Sequence, residues 1–191
     1  MTTIVRGVPA DIREGDVLLQ RWTGWRSRVV ALFNGGYSHV AIVVSLGGSL
    51  CVVEATARSW KSRTGPALPP GVNSRPLDGA FESQWCKRLA VARPRPAVNT
   101  QELAQLKIFL VEALKRQAAT GHSLYDGGAD LICAVCGCCA VTAERHTCTE
   151  LVARALAAAD RWPTGVTLAP TIGTLVRAIG ADGRGGVRHV F

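Results

Sequence analysis

Apolar residues along this chain fall into two kinds of pattern. Four short stretches are dense in Val, Ile, Leu and Ala and read as strands: Asp16–Gln20 (DVLLQ), His39–Leu46 (HVAIVVSL), Leu50–Thr56 (LCVVEAT) and Lys87–Arg93 (KRLAVAR). Gly47 and Gly48 separate the second from the third, which predicts a hairpin. Helical spacing marks the other kind. Gly24–Phe33 carries apolar residues at Trp25, Val29, Val30, Leu32 and Phe33 and stops at Asn34, Gly35 and Gly36. Thr100–Ala119 places Leu103, Leu106, Phe109, Leu110, Ala113 and Leu114 on a helical stripe, with Glu102 near its start and Lys115 and Arg116 near its end. Two more helices are expected, one in the apolar run from Ala129 and one over Cys148–Ala159.

The segments between these elements are read from their turn residues. Lys61–Gly79 holds four of the nine prolines without a period and predicts a long surface loop. Ala181–Phe191, with three Gly and two Arg, predicts a loose tail. The pattern is that of an α+β chain forming one domain over 1–191, with its core over about 15–178. At 191 residues and 48% hydrophobic content the chain has the apolar mass to bury a core without staples, which excludes a disordered or collagen-like protein.

One cysteine has a chemical setting that the others lack. Thr147-Cys148-Thr149-Glu150 precedes LVARALAAA and matches a capping box, in which an N-cap hydroxyl is answered by Glu three residues later. Cys148 is then the first helical residue, where the helix dipole and first-turn N–H groups favour a thiolate and can support an oxyanion. Such a nucleophile needs an imidazole base and a group to orient it. If Gly47 and Gly48 form a two-residue turn, paired positions sum to 95, so Ala41 faces Glu54 and His39 faces Thr56. His39 and Glu54 then lie on one face as diagonal neighbours; a three-residue loop would put them on opposite faces.

In order, GDVLLQR (Gly15–Arg21), SHVAIVV (Ser38–Val44), VVEA (Val52–Ala55), GHSLYDGGADL (Gly121–Leu131), CTELV (Cys148–Val152) and LAPTIGTL (Leu168–Leu175) resemble the circularly permuted papain-like proteins of the YiiX/YaeF group. These are relatives of the NlpC-type cell-wall amidases and of lecithin:retinol acyltransferase. The resemblance implies an antiparallel sheet or barrel packed against helices. It also implies a cysteine hydrolase of peptide or amino-acid amides, peptidoglycan-derived ones included, with Cys148 as nucleophile, His39 as base and Glu54 as the orienting residue. The alternatives are a lipid acyltransferase or thioesterase on the same triad and a ligand-binding module that keeps the fold without turnover. No cofactor is implied. Tyr125 and Trp22 are candidate substrate-binding residues, and the substrate would be a peptide, a cell-wall fragment or an acyl lipid.

Other features compete with this reading. Cys133, Cys136, Cys138 and Cys139 (CAVCGCC) are enough thiols for tetrahedral zinc. Their adjacency and apolar surroundings favour buried, metal-free thiols on a helix. The formal charge of +8 is spread along the chain without aromatic interleaving, so nucleic acid is not expected; an anionic surface is the contact such a charge would favour. Trp22 and Trp25 beside Arg21, Arg26 and Arg28 are placed to form an interfacial or substrate-contacting edge, or to belong to the core. The N-terminus shows no secretory signal and the odd number of seven Cys suits a reducing compartment, so a cytoplasmic location is expected, export by a signal-independent route aside.

Overall fold

The structure is a computed structural model and describes residues 8–56, 60–61, 67–81, 86–120, 146–168, 170–180 and 187–190. Its centre is an antiparallel sheet. In chain order the elements are β1 (Val17–Trp22), α1 (Trp25–Phe33), β2 (His39–Leu46), β3 (Ser49–Thr56), the short β4 (Trp60–Lys61) and β5 (Ala67–Leu68), β6 (Gly71–Pro76), α2 (Leu77–Phe81), β7 (Cys86–Ala92), α3 (Thr100–Thr120), α4 (Cys148–Ala158), α5 (Ile172–Ile179) and β8 (Val187–His189). Six strands pair in the order β6-β3-β2-β1-β7-β8, while β4 and β5 pair with each other.

The hairpin is the expected one. Ile42 faces Val53, Val43 faces Val52 and Leu46 faces Ser49, so every pair sums to 95. Gly47 and Gly48 both adopt positive φ, 61° and 84°, as the tight turn that matches strand twist requires.

Both faces of the sheet are covered, which explains why β2 is apolar almost throughout. On one face Val17, Leu19, Val40, Ile42, Val44, Val53, Ala55 and Ala90 pack beneath α3, α4 and α5 through Leu106, Leu110, Leu151, Leu156 and Leu175. On the other, Leu18, Ala41, Val43, Val52, Leu89 and Val91 pack against Ile12 and against Leu77, Ala80 and Phe81 of α2. Gly71 lets α3 close on the first face. A Cβ there would clash with Gln117 Oε1, the same oxygen that accepts from the Val72 amide at 3.2 Å.

Two expectations are corrected. Within the proline-rich span, Gly71–Pro76 is a full strand that pairs residue by residue with β3, Cys51 to Pro76 through Thr56 to Gly71. Proline is tolerated because β6 is the sheet's edge and Pro76 its last residue. Leu77–Phe81 of the same span is helical. In the tail, Val187–His189 pairs with β7, whose outer edge would otherwise leave backbone groups unmatched. The expected helix from Ala129 lies outside the described residues.

Candidate functional site

The hairpin register does what the sequence arithmetic required. His39 and Glu54 share a face, and His39 Nε2 lies 2.8 Å from Glu54 Oε2 with both side chains buried. A third residue completes the group. Val52 faces Arg75 across β3 and β6, so Arg75 shares that face with Glu54. Its Nε stands 2.8 Å from Glu54 Oε1, and its Nη2 donates to Oε2 at 3.2 Å. Burial by itself raises the Glu54 carboxyl. The Arg75 charge, then the hydrogen bond and charge of His39, outweigh it and hold Glu54 at about 2. Glu54 is therefore a carboxylate near neutrality and accepts a hydrogen bond from its partner, which fixes the proton on His39 Nε2 and leaves Nδ1 as the basic nitrogen.

The ring is held from a second side. Gln20 of β1 faces His39 in the β1–β2 ladder. The half-buried Trp22 lies against the imidazole, ring centroids 4.4 Å apart and planes tilted 34°. Its indole donates to Gln20 Oε1 at 2.9 Å, and its amide donates to Ser38 Oγ at 3.1 Å. Gln20 is fully buried, and its Nε2 has no hydrogen-bond partner among the described residues. Trp22, expected to touch substrate, is thus placed beside the candidate base.

Cys148 opens α4 as its capping box predicts. Thr147 is the N-cap: its Oγ1 accepts from the Glu150 amide at 3.2 Å, while Glu150 Oε2 accepts from the Thr147 amide at 3.4 Å. Glu150 Oε1 takes an ion pair from Arg154 Nη2 at 2.9 Å, one turn along. The Cys148 side chain is 6% exposed and joins the core beneath α4, the face of Val40 and Ile42. Strict alternation assigns His39 and Glu54 to the opposite face, with Ala41 and Val52. The structure thus brings His39, Glu54 and Trp22 together and sets Cys148 on the neighbouring layer, with His39 the first residue of β2.

His146, two residues before Cys148, is buried and stands edge-on to Phe109 with ring centroids 6.3 Å apart. Burial, then the charges of Arg154 and Arg116, push it down to about 4, so it is neutral near neutrality. Tyr125 and the Cys133–Cys139 cluster lie outside the described residues. Among the described residues no group of three His, Cys, Asp or Glu is arranged to hold a metal ion, and no helix is long and apolar enough to cross a membrane.

Sequence patterns missed two members of this group. Arg75 sits in a span whose prolines conceal a strand, and Gln20 ends an apolar strand pattern that gives it no chemical role. The ladder arithmetic held a signal for Gln20, since β1 precedes the hairpin and carries a polar residue at its end.

No family model matches the chain, and no curated protein matches it. Among solved structures, the chain is similar to the crystal structure of metalloprotein yiiX from Escherichia coli O157:H7, described as DUF1105, at 17% identity and a TM-score of 0.49. The match covers 77% of this chain and 66% of that one.

Proposed function

We propose that the chain is a cysteine hydrolase of permuted papain-like type that cleaves an amide bond, with Cys148, His39 and Glu54 as its triad. The observation that carries this reading is the buried His39–Glu54 pair, in which an ionised carboxylate fixes the tautomer with its basic nitrogen at Nδ1. The triad requires the Cys148 thiol, on the first turn of α4, to meet the ring of His39, the first residue of β2, at the end of the sheet.

In this mechanism His39 Nδ1 takes the proton from Cys148 Sγ, and the thiolate attacks the acyl carbon. The N-terminus of α4 supports the oxyanion, and the unpartnered Gln20 amide is a second donor suited to the substrate carbonyl. The imidazolium returns its proton to the leaving nitrogen as the C–N bond breaks. Water then loses a proton to Nδ1, attacks the thioester and frees the acid, and the thiol is restored. Glu54 stabilises the imidazolium in both halves, and Arg75 keeps Glu54 ionised.

Alkylation by iodoacetamide, read by peptide mapping, tests the thiol. Cys148 should label faster at neutral pH than Cys51 and Cys86, and His39→Ala should slow it by a factor of about 10² or more, the scale of a general base's contribution. Sluggish labelling that ignores His39 would instead assign the fold to a binding module. Intact mass after incubation with cell-wall fragments or with acyl lipids identifies the substrate class, because the pool that leaves an adduct on Cys148 contains the acyl donor.

A further inference from the structure

Helix α1 is built inside out. Of its nine residues, Ala31 is buried and Ser27, Val29 and Val30 are partly covered; Ser27, Val30 and Ala31 share one arc, which faces the body of the protein. At about 100° per residue, the outward half runs in the order Arg28, Leu32, Trp25, Val29, Phe33, Arg26. Its centre is apolar and both borders are cationic. Leu32 is 80% exposed, Trp25 66% and Phe33 57%. Only two other large apolar side chains are exposed among the described residues, Val8 and Ile108, so the apolar surface is concentrated on this one helix.

The helix is also held in that orientation. Asn34 closes its end: Nδ2 donates to Val30 O at 2.9 Å, and Oδ1 accepts from the Ile172 amide at 2.7 Å, which ties α1 to the start of α5. Rotating the apolar arc inward would break both bonds. Arg26 lies 5.4 Å from the Trp25 ring centroid, and Arg21 and Arg28 are exposed beside it.

We propose that α1 is a docking helix for an anionic lipid surface. In it Trp25, Val29, Leu32 and Phe33 enter the headgroup boundary while Arg26 and Arg28 reach phosphates on either side. An apolar stripe bordered by arginine, with an aromatic residue near the polar edge, is the pattern of an interfacial helix. The net charge of +8 adds attraction to an anionic membrane. Two residues, Thr23 and Gly24, separate α1 from Trp22, so a docked α1 would hold the His39 region close to the membrane plane. The proposal concerns a surface and stands whether or not Cys148 is a nucleophile.

Co-sedimentation of the full chain with vesicles tests it, comparing phosphatidylcholine alone with equal parts phosphatidylcholine and phosphatidylglycerol. Binding is expected to the anionic vesicles and to weaken as salt is raised. Leu32→Ser with Phe33→Ser should reduce it about tenfold or more, the scale of removing two large apolar contacts. Arg26→Gln with Arg28→Gln should lower it about tenfold on anionic vesicles, since each arginine near such a surface contributes appreciably. Ile108→Ser, on exposed α3 surface, should change nothing. All four positions in the two double variants are exposed, so unchanged circular dichroism is expected and should be checked first. Absence of binding at low salt, equal binding to neutral vesicles, or indifference to both double variants would overturn the proposal. So would self-association in sedimentation velocity that disappears with Leu32→Ser and Phe33→Ser, which would give the face to a second copy of the chain.

Discussion

Among the described residues two glutamates are buried, each with an arginine partner, and they are put to different use. Glu54, on the α2 side of the sheet, shares its carboxylate between Arg75 and the imidazole of His39. Glu150, on the α4 side, shares its own between Arg154 and the backbone amide of Thr147. The first pairing places a charge behind a titratable ring; the second ties a charge into a helix end. Both arginines offset a negative charge that burial disfavours, but Arg75 is itself buried, while the Arg154 side chain is 21% exposed. Removing either carboxylate should therefore have unequal consequences.

The largest difference is expected at Glu54. Glu54→Ala leaves the Arg75 charge buried and its guanidinium without that acceptor, which costs about 3–5 kcal/mol when one half of a buried pair is lost. Urea unfolding of Glu54→Ala, Arg75→Met and the double variant measures this. The double variant should recover much of the loss, because no charge is then stranded. Additive losses would mean that the pair is not an energetic unit.

Acid separates the same two sides by pH window. Glu54 is held at about 2 against an ordinary 4.5, so its contribution is complete above about pH 4.5 and fades as pH falls toward 2. His146 sits on the α4 side and is held at about 4 against an ordinary 6.5. Between those values the unfolded chain binds a proton that the folded one refuses, so stability falls as pH drops from 6.5 toward 4, by up to about 1 kcal/mol per pH unit. Above pH 6.5 neither form is protonated and His146 contributes no slope. His146→Gln should flatten that upper window and leave the steeper loss below pH 4.5. A pH profile of urea midpoints that is unchanged in the variant would remove His146 as its cause.

The two sides also differ in how far they could be read from sequence. The hairpin register was legible because Gly47-Gly48 fixes the turn, and the cap was legible because Thr147 and Glu150 have the spacing of a reciprocal bond. Both signals are local. Arg75 was not legible: Pro69, Pro70 and Pro76 border its strand, and VNSR lacks the apolar alternation that would reveal it. The pairing that makes it a strand comes from β3, some 20 residues away in sequence. The tail strand Val187–His189 was missed for the same reason, as three residues carry no period of their own. For α1, the sequence showed apolar and cationic residues at helical spacing but not which arc faces the body; the bonds of Asn34 decide that.

At the helix cap a smaller effect is expected. Thr147→Ala removes the hydroxyl that accepts from the Glu150 amide and should cost about 1 kcal/mol. It also loosens the turn that presents Cys148, so the thiolate loses support and the pH midpoint of alkylation should move up. A stability loss with an unmoved midpoint would show that the cap holds the helix without tuning the thiol.

Glu150→Gln gives the smallest stability change and tests the electrostatics most directly. The amide keeps an acceptor for the Thr147 N–H, so the box survives, whereas the negative charge two residues from Cys148 disappears. Arg154 loses its ion pair, but its partly exposed side chain can turn to water, so the net loss should stay below about 1 kcal/mol, as for most solvent-accessible pairs. Opposed to this small loss is a gain for the thiolate, since a carboxylate nearby disfavours a second negative charge. The midpoint of alkylation against pH should therefore fall in Glu150→Gln while it rises in Thr147→Ala. Opposite shifts from two residues of one capping box separate the effect of helix-end order from that of local charge. Shifts in the same direction would mean that disorder of the first turn, rather than charge, governs Cys148.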